Sequence, residues 1–250
     1  MIKLKKKEEI EIMREGGRRL REIVRLLSTK IKAGVTTNEI DYEAEKLIRK
    51  FDGESSFKKV PGYFWSTCLT VNEQIVHTPP SKRILQEGDL LTLDIGLEYR
   101  GYNTDYAYTY FVGKSIDPEK SRFLAIGKRA LQMAIRQAKA GNRIGNISQA
   151  IEKEIYGNGF FVLKELTGHG IGRLLHEEPY VPGFLDRPLN QTPIIKPGLT
   201  IAIEVIYSEG AESFVYERGN EWSVVTADGS LAACFEHTVA VTEKETLVLT

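Results

Sequence analysis

Twice along this chain a pair of helix-patterned segments gives way to strands, and this repeated order constrains the fold more than any other feature. From Lys7 to Ile31 the apolar residues Ile10, Met13, Leu20, Ile23, Val24, Leu27 and Ile31 recur at helical spacing, interrupted only by Gly16 and Gly17. Thr36-Thr37-Asn38-Glu39 then offers a capping box, because the Thr36 hydroxyl and the Glu39 carboxylate can satisfy each other's free backbone N–H groups. Ile40, Ala44, Leu47 and Phe51 line one face of the helix it starts, and Gly53 stops it. The layout returns where Phe123, Ile126, Ala130, Leu131, Ala134 and Ala138 mark a second long helix. Lys32-Ala33-Gly34 precedes Ile40 as Lys139-Ala140-Gly141 precedes Ile147. One domain over 1–250, duplicated internally into halves of about 1–115 and 116–250, is the expected organisation.

After each helical pair the period falls to 2. Leu90–Leu97 and Tyr106–Val112 are the clearest strands of the first half, with a turn at Glu98–Asn103 around Gly101; Leu199–Tyr207 and Cys234–Val241 are those of the second. The fold class is therefore α+β, with helices backing a mostly antiparallel sheet.

Acids stand inside these strands. Asp94 is embedded among Leu91, Leu93, Ile95 and Leu97, where an unpaired carboxylate is costly to desolvate. Asp105 follows at the start of the next strand, and a hairpin around Gly101 can bring both acids to one face. Glu204, between Ile203 and Val205, and Glu236, between Phe235 and His237, repeat the anomaly. Any one of them also fits a strand-end or Arg-paired acid; four together point to a shared cation, since close carboxylates repel unless a metal or proton intervenes. Nitrogen donors come from Thr167-Gly168-His169-Gly170-Ile171-Gly172-Arg173 and from His176 in His176-Glu177-Glu178-Pro179. Four carboxylates and one imidazole form an oxygen-rich set that suits Mn, Fe, Co or Zn, and their number fits two ions better than one. Two such ions activate water for hydrolysis at neutral pH.

Composition narrows the partners. The 34 basic and 34 acidic residues cancel, so no global field draws nucleic acid or an anionic membrane. The basic N-terminus has no apolar core after it and no later stretch approaches the ~20 apolar residues of a membrane span, so a cytoplasmic location is expected. Cys68 and Cys234 are the only cysteines, too far apart in sequence for a zinc-type pair, and are expected to be buried thiols. With charge balanced and no apolar stripe evident, a monomer is the default.

Val71-Asn72-Glu73-Gln74-Ile75-Val76-His77, Leu93-Asp94-Ile95, Asn103-Thr104-Asp105, Gly168–Arg173 with His176–Pro179, Ile203-Glu204 and Phe235-Glu236-His237-Thr238 together resemble the type I methionine aminopeptidases of the pita-bread metallopeptidases, over nearly the whole chain. The resemblance implies a curved sheet in pseudo-two-fold halves and two divalent ions (Co, Mn, Fe or Zn) held by Asp94, Asp105, His169, Glu204 and Glu236. Asp105 and Glu236 would bridge the ions, and a hydroxide between them would attack the first peptide carbonyl, with Glu204 as proton shuttle. His77 and His176 match non-ligand histidines that orient the substrate and support the developing oxyanion; taken alone, His77 also fits a loop residue and His176 a helix cap. Tyr63, Cys68 and Trp222 match the methionine pocket, although both aromatics also suit core packing. The implied substrates are nascent polypeptide N-termini, met near the ribosome.

The sequence departs from that family at Thr78-Pro79-Pro80, where Gly-Ile/Val-Pro is common, at Val60, where an aromatic is common, and at Leu175, where Phe is common. These positions bear on first-residue selection, not on metal chemistry. His237 should face away from the cluster, because side chains alternate along a strand. Two alternatives remain: an Xaa-Pro peptidase of the same fold, against which the lack of an added N-terminal domain speaks, and a non-catalytic peptide-binding module, against which the filled ligand positions speak.

Overall fold

The computed structural model describes residues 2–115 and 117–250; Met1 and Ile116, the latter at the expected boundary between halves, lie outside them. The helices are α1 (Lys7–Ser28), α2 (Thr37–Lys50), α3 (Pro118–Gln137) and α4 (Ile144–Tyr156). The strands are β1 (Glu54–Ser55), β2 (Thr67–Val71), β3 (Gln74–Val76), β4 (Leu90–Tyr99), β5 (Tyr102–Phe111), β6 (Phe161–Val162), β7 (Thr167–Gly170), β8 (Glu177–Pro182), β9 (Thr200–Ser208), β10 (Phe214–Tyr216), β11 (Val224–Thr226), β12 (Ala232–Val241) and β13 (Thr246–Val248). Ten strands form one sheet with the central path β1-β4-β5-β12-β9-β7-β8, and β10-β11-β3 form a small second one. The registered strand pairs are antiparallel.

The capping box at α2 forms: Glu39 N–H donates to Thr36 Oγ1, and Thr36 N–H to the Glu39 carboxylate at 2.7 Å. Gly16 and Gly17 do not break α1. They let it lie close to the sheet and the C-terminal segment, since a Cβ on Gly17 would sit 2.2 Å from the Leu249 carbonyl oxygen. The turn between β4 and β5 is tighter than expected. Arg100 and Gly101 both take positive φ, the twist a two-residue antiparallel hairpin prefers, so β5 begins at Tyr102 and Asp105 lies inside the strand instead of opening it.

Alternation along the strands sorts the chain into two faces. Leu91, Leu93, Ile95 and Leu97 of β4 pack with Leu20, Ile23, Leu27, Ile40 and Ile48 of α1 and α2. Ile201, Ile203, Val205 and Tyr207 of β9, with Phe235 and Val239 of β12, pack with Phe123, Ala130, Ile147 and Ile151 of α3 and α4. Each helical pair therefore covers its own half of the sheet, and the even-numbered residues of β4, β9 and β12 look out of the other face. Backbone hydrogen bonds recur between the halves. Gly34 N–H donates to Leu85 O and Leu85 N–H to Val35 O, as Gly141 N–H does to Ile195 O and Ile195 N–H to Asn142 O. Gly88 N–H donates to Val112 O as Gly198 N–H does to Val241 O.

Candidate metal centre and cleft

The face left bare by the helices holds the acids. In the β4–β5 register Asp94 pairs with Ala107 and Gly96 with Asp105, which makes the two acids diagonal neighbours on one face. Glu204 and Glu236 stand directly opposite each other across β9 and β12. Like charges so placed destabilise a sheet unless a cation or proton comes between them. His169 pairs with Ala202, and its Nε2 lies 3.4 Å from Glu204 Oε1.

Ligand atoms of Asp105, His169 and Glu236 all lie within 4.8 Å of one another. Asp94 lines the same cavity outside that triad, and Glu204 joins it through His169. Asp94 Oδ1 and Glu236 Oε1 are buried with no hydrogen-bond partner among the described residues, a state that in a native interior calls for an ion or water. The imidazole is prepared for the same role. His169 Nδ1 is 2.9 Å from the Gly170 carbonyl, which can only accept, so the proton sits on Nδ1 and the Nε2 lone pair faces the acids. These donors fit a divalent transition metal.

The electrostatics agree. Burial, reinforced by the neighbouring acids, raises the carboxyls of Asp94, Glu204 and Glu236 well above the usual range. Burial also lifts Asp105 to about 7, against the Tyr106 N–H bond that lowers it. Burial, and then His176, depresses His169 to about 4, so it is neutral at neutral pH. Four carboxylates in one cavity cannot all ionise without a compensating cation.

The acids form the floor of a cavity of about 470 Å³, and every other site residue expected from the sequence lines it: Tyr63, Cys68, His77, His176 and Trp222. His176 stands in the segment between β7 and β8, with no helix to cap, and its ring centroid is 4.4 Å from that of His169. His77 follows β3 with φ 60°, a strained conformation for a non-glycine residue of the kind that gathers at functional sites. Both histidines line the cavity with side chains open to solvent, and the desolvation they do undergo lowers their pKa values, with His176 adding to the effect on His77. Tyr63 is buried, donates to the Thr67 carbonyl at 2.8 Å and meets Trp222 edge-on at 5.1 Å. Val60 and Leu175, two of the points of departure, line the cavity as well. His237 faces the helices, where it meets Thr250 Oγ1 at 3.3 Å and the Tyr106 ring at 5.4 Å.

Sequence reasoning missed Phe57, Leu166 and Ile206 as walls of the cavity. One local signal for Phe57 existed. Gly96 is on the cleft face of β4, and a Cβ there would fall 3.0 Å from the Phe57 ring, so the glycine admits the aromatic. The support of the His176 segment was missed as well. Lys5 Nζ reaches Glu177 Oε2 at 2.5 Å, both side chains buried, while Glu177 Oε1 accepts from Leu174 N–H at 3.0 Å. Asn103 holds the same segment through its side-chain bonds to the carbonyls of Gly172 and Arg173.

Fold and cleft together define a metal-dependent hydrolase, and comparison with known proteins gives the class: residues 11–243 match metallopeptidase family M24, to which the chain belongs. Methionine aminopeptidase 1 of Bacillus subtilis (strain 168) is 40% identical over 250 residues, covering 100% of this chain and 99% of that protein. Methionine aminopeptidase of Clostridium perfringens is 38% identical with the same coverage. The crystal structure of methionine aminopeptidase from Thermotoga maritima superposes with TM-score 0.95 at 34% identity, covering 100% of this chain and 99% of that one. Prolidase from Pyrococcus furiosus shares the fold, with TM-score 0.75 and 23% identity; 99% of this chain corresponds to 65% of that one.

Proposed function

We propose that the protein is a methionyl aminopeptidase, a metal-dependent hydrolase that removes methionine from the N-termini of nascent proteins and peptides. One observation carries the reading: a single cavity joins a floor of four acids, Asp105 and Glu236 buried and Asp94 and Glu204 partly so, and a neutral imidazole to an apolar, sulfur-bearing wall of Phe57, Tyr63, Cys68 and Trp222. Such a wall suits a thioether side chain. Full-length relatives of that name support the same reading.

Asp94, Asp105, His169, Glu204 and Glu236 would hold the divalent ions, two by the number of donors. The oxygen-rich donor set suits Mn, Fe, Co or Zn. When bound, such ions polarise the scissile carbonyl and acidify water. The protein's own groups do the rest. Glu204, on the cavity floor with an oxygen 3.4 Å from His169 Nε2, is placed to relay a proton from the attacking water to the leaving amine. His176 and His77, at the cavity wall, donate hydrogen bonds to the peptide oxygen and orient the chain. The aromatic wall excludes water from the first side chain. The two halves, about 1–115 and 116–250, are read as copies of one unit in a single catalytic domain, supported by their recurring backbone hydrogen bonds. A cytoplasmic monomer acting close to the ribosome completes the proposal, because that is where chains with a free first methionine arise.

A peptide panel varying residues one and two, run with Mn, Fe, Co and Zn in turn, tests the reading. Turnover of Met-Ala-Ser with activation by at least one metal is expected. Selective turnover of X-Pro peptides, or no activating metal, overturns it.

A further inference from the structure

Two cavity-lining side chains, His77 and Trp222, sit on neighbouring segments that leave the small sheet. Val76 of β3 pairs with Val224 of β11, but the backbone ladder ends there, because His77 turns away at φ 60° and Trp222 belongs to a tight turn in which its N–H and that of Ser223 both donate to Asn220 Oδ1. One step beyond, a side-chain bond carries the pairing on: Thr78 Oγ1 and Ser223 Oγ are 2.7 Å apart, both residues buried. The Thr78 carbonyl also accepts from Leu69 N–H at 3.0 Å, which fixes the segment to β2 beside Cys68. Thr78 thus touches three parts of the cavity wall through its neighbours: His77, Cys68 and, across the hydroxyl bond, Trp222. Trp222 otherwise rests on Tyr63 and on Gly62, whose Cβ position is 3.4 Å from the indole.

We infer that the Thr78–Ser223 hydroxyl pair is a strap that sets the position of Trp222 against His77 and thereby the selectivity of the first-residue pocket; both are positioning residues and neither reaches the substrate. The inference rests on the reading of this cavity as the pocket for a first methionine. Its physical basis is that a buried hydroxyl left without its partner is driven to find water or another acceptor, and here either response displaces the turn that carries Trp222. A wall free to shift admits other side chains. The wall then discriminates less sharply, since pocket selectivity rests on small differences in apolar contact.

The test compares Met-Ala-Ser with Leu-Ala-Ser in the metal-loaded full chain for wild type, T78V, S223A, the double variant and T78S. Loss of one buried hydrogen bond predicts that T78V and S223A each lower the Met-over-Leu ratio of kcat/KM about fivefold. For Met-Ala-Ser the change should fall in KM more than in kcat. The double variant should be no worse than either single one, because both remove the same bond. T78S, which keeps the hydroxyl, should retain the wild-type ratio. Acrylamide quenching of Trp222 in a W65F background, where it is the only indole, reads the strap without turnover and should rise in T78V and S223A. Wild-type selectivity in either variant, additive effects, or a T78S that behaves like T78V overturns the inference. Failure of the functional reading itself appears separately, as wild type without Met-Ala-Ser turnover; unchanged quenching would then refute the strap.

Discussion

Asp105→Asn should do two opposite things: abolish turnover and stabilise the metal-free protein. Asp105 is buried, and its carboxyl is raised from 3.8 to about 7. The native state therefore holds a proton that the unfolded chain releases, so stability falls as pH rises from about 4 to 7 and is flat above. Ionising a carboxyl held that far above its ordinary range costs the metal-free wild type about 4 kcal/mol above pH 7. At pH 5 only the first part of that loss has occurred. Asparagine keeps the shape, carries no charge and also relieves Asp94, Glu204 and Glu236, each of which Asp105 pushes upward. Urea unfolding in chelator should show the variant more stable than wild type by a margin that widens from pH 5 to pH 8. In metal at a hundredfold excess over Kd the wild type should gain about 2.7 kcal/mol that the variant cannot, so the variant's margin at pH 8 should narrow by that amount. A metal-free variant less stable than wild type at pH 8 would refute the charge-crowding argument. Wild-type turnover of the variant in excess metal would refute the ligand role.

Lys5→Met removes one partner of a buried ion pair beneath the His176 segment, a change that costs about 3–5 kcal/mol, and hydrogen exchange at Gly172–Glu178 should rise with it; protection equal to wild type would show the pair to be idle. Gly17→Ala should lower the melting temperature, since the added methyl meets the Leu249 carbonyl oxygen at 2.2 Å and overpacking of this kind costs about 1–3 kcal/mol; an unchanged melting curve would mean α1 can lift away freely. Thr36→Ala loses the α2 cap and about 1 kcal/mol, measured by urea unfolding, and leaves turnover intact because α2 lies on the face away from the cleft.

Much of this protein is legible in its amino-acid sequence. Helical spacing and the Thr36–Glu39 box place α1 and α2, and period-2 patterning places β4, β9 and β12, because these signals act over a few residues. The same alternation exposes Asp94, Glu204 and Glu236 as carboxylates set on strands whose other face is apolar, and it sends His237 to the opposite side from Glu236. What strand alternation cannot encode is which strand lies beside which. Only the register sets Glu204 against Glu236, brings His169 to Glu204 and turns separate anomalies into one charged floor. Tertiary contact likewise decided that Gly96 admits Phe57, that Lys5 supports Glu177 and that Thr78 bonds Ser223. Those contacts join residues distant in the chain, and no local pattern records them, because each depends on where the whole sheet curves and closes. The misplaced carboxylates were written in the alternation of their strands; their gathering into one cluster, and the cavity above it, were made by folding.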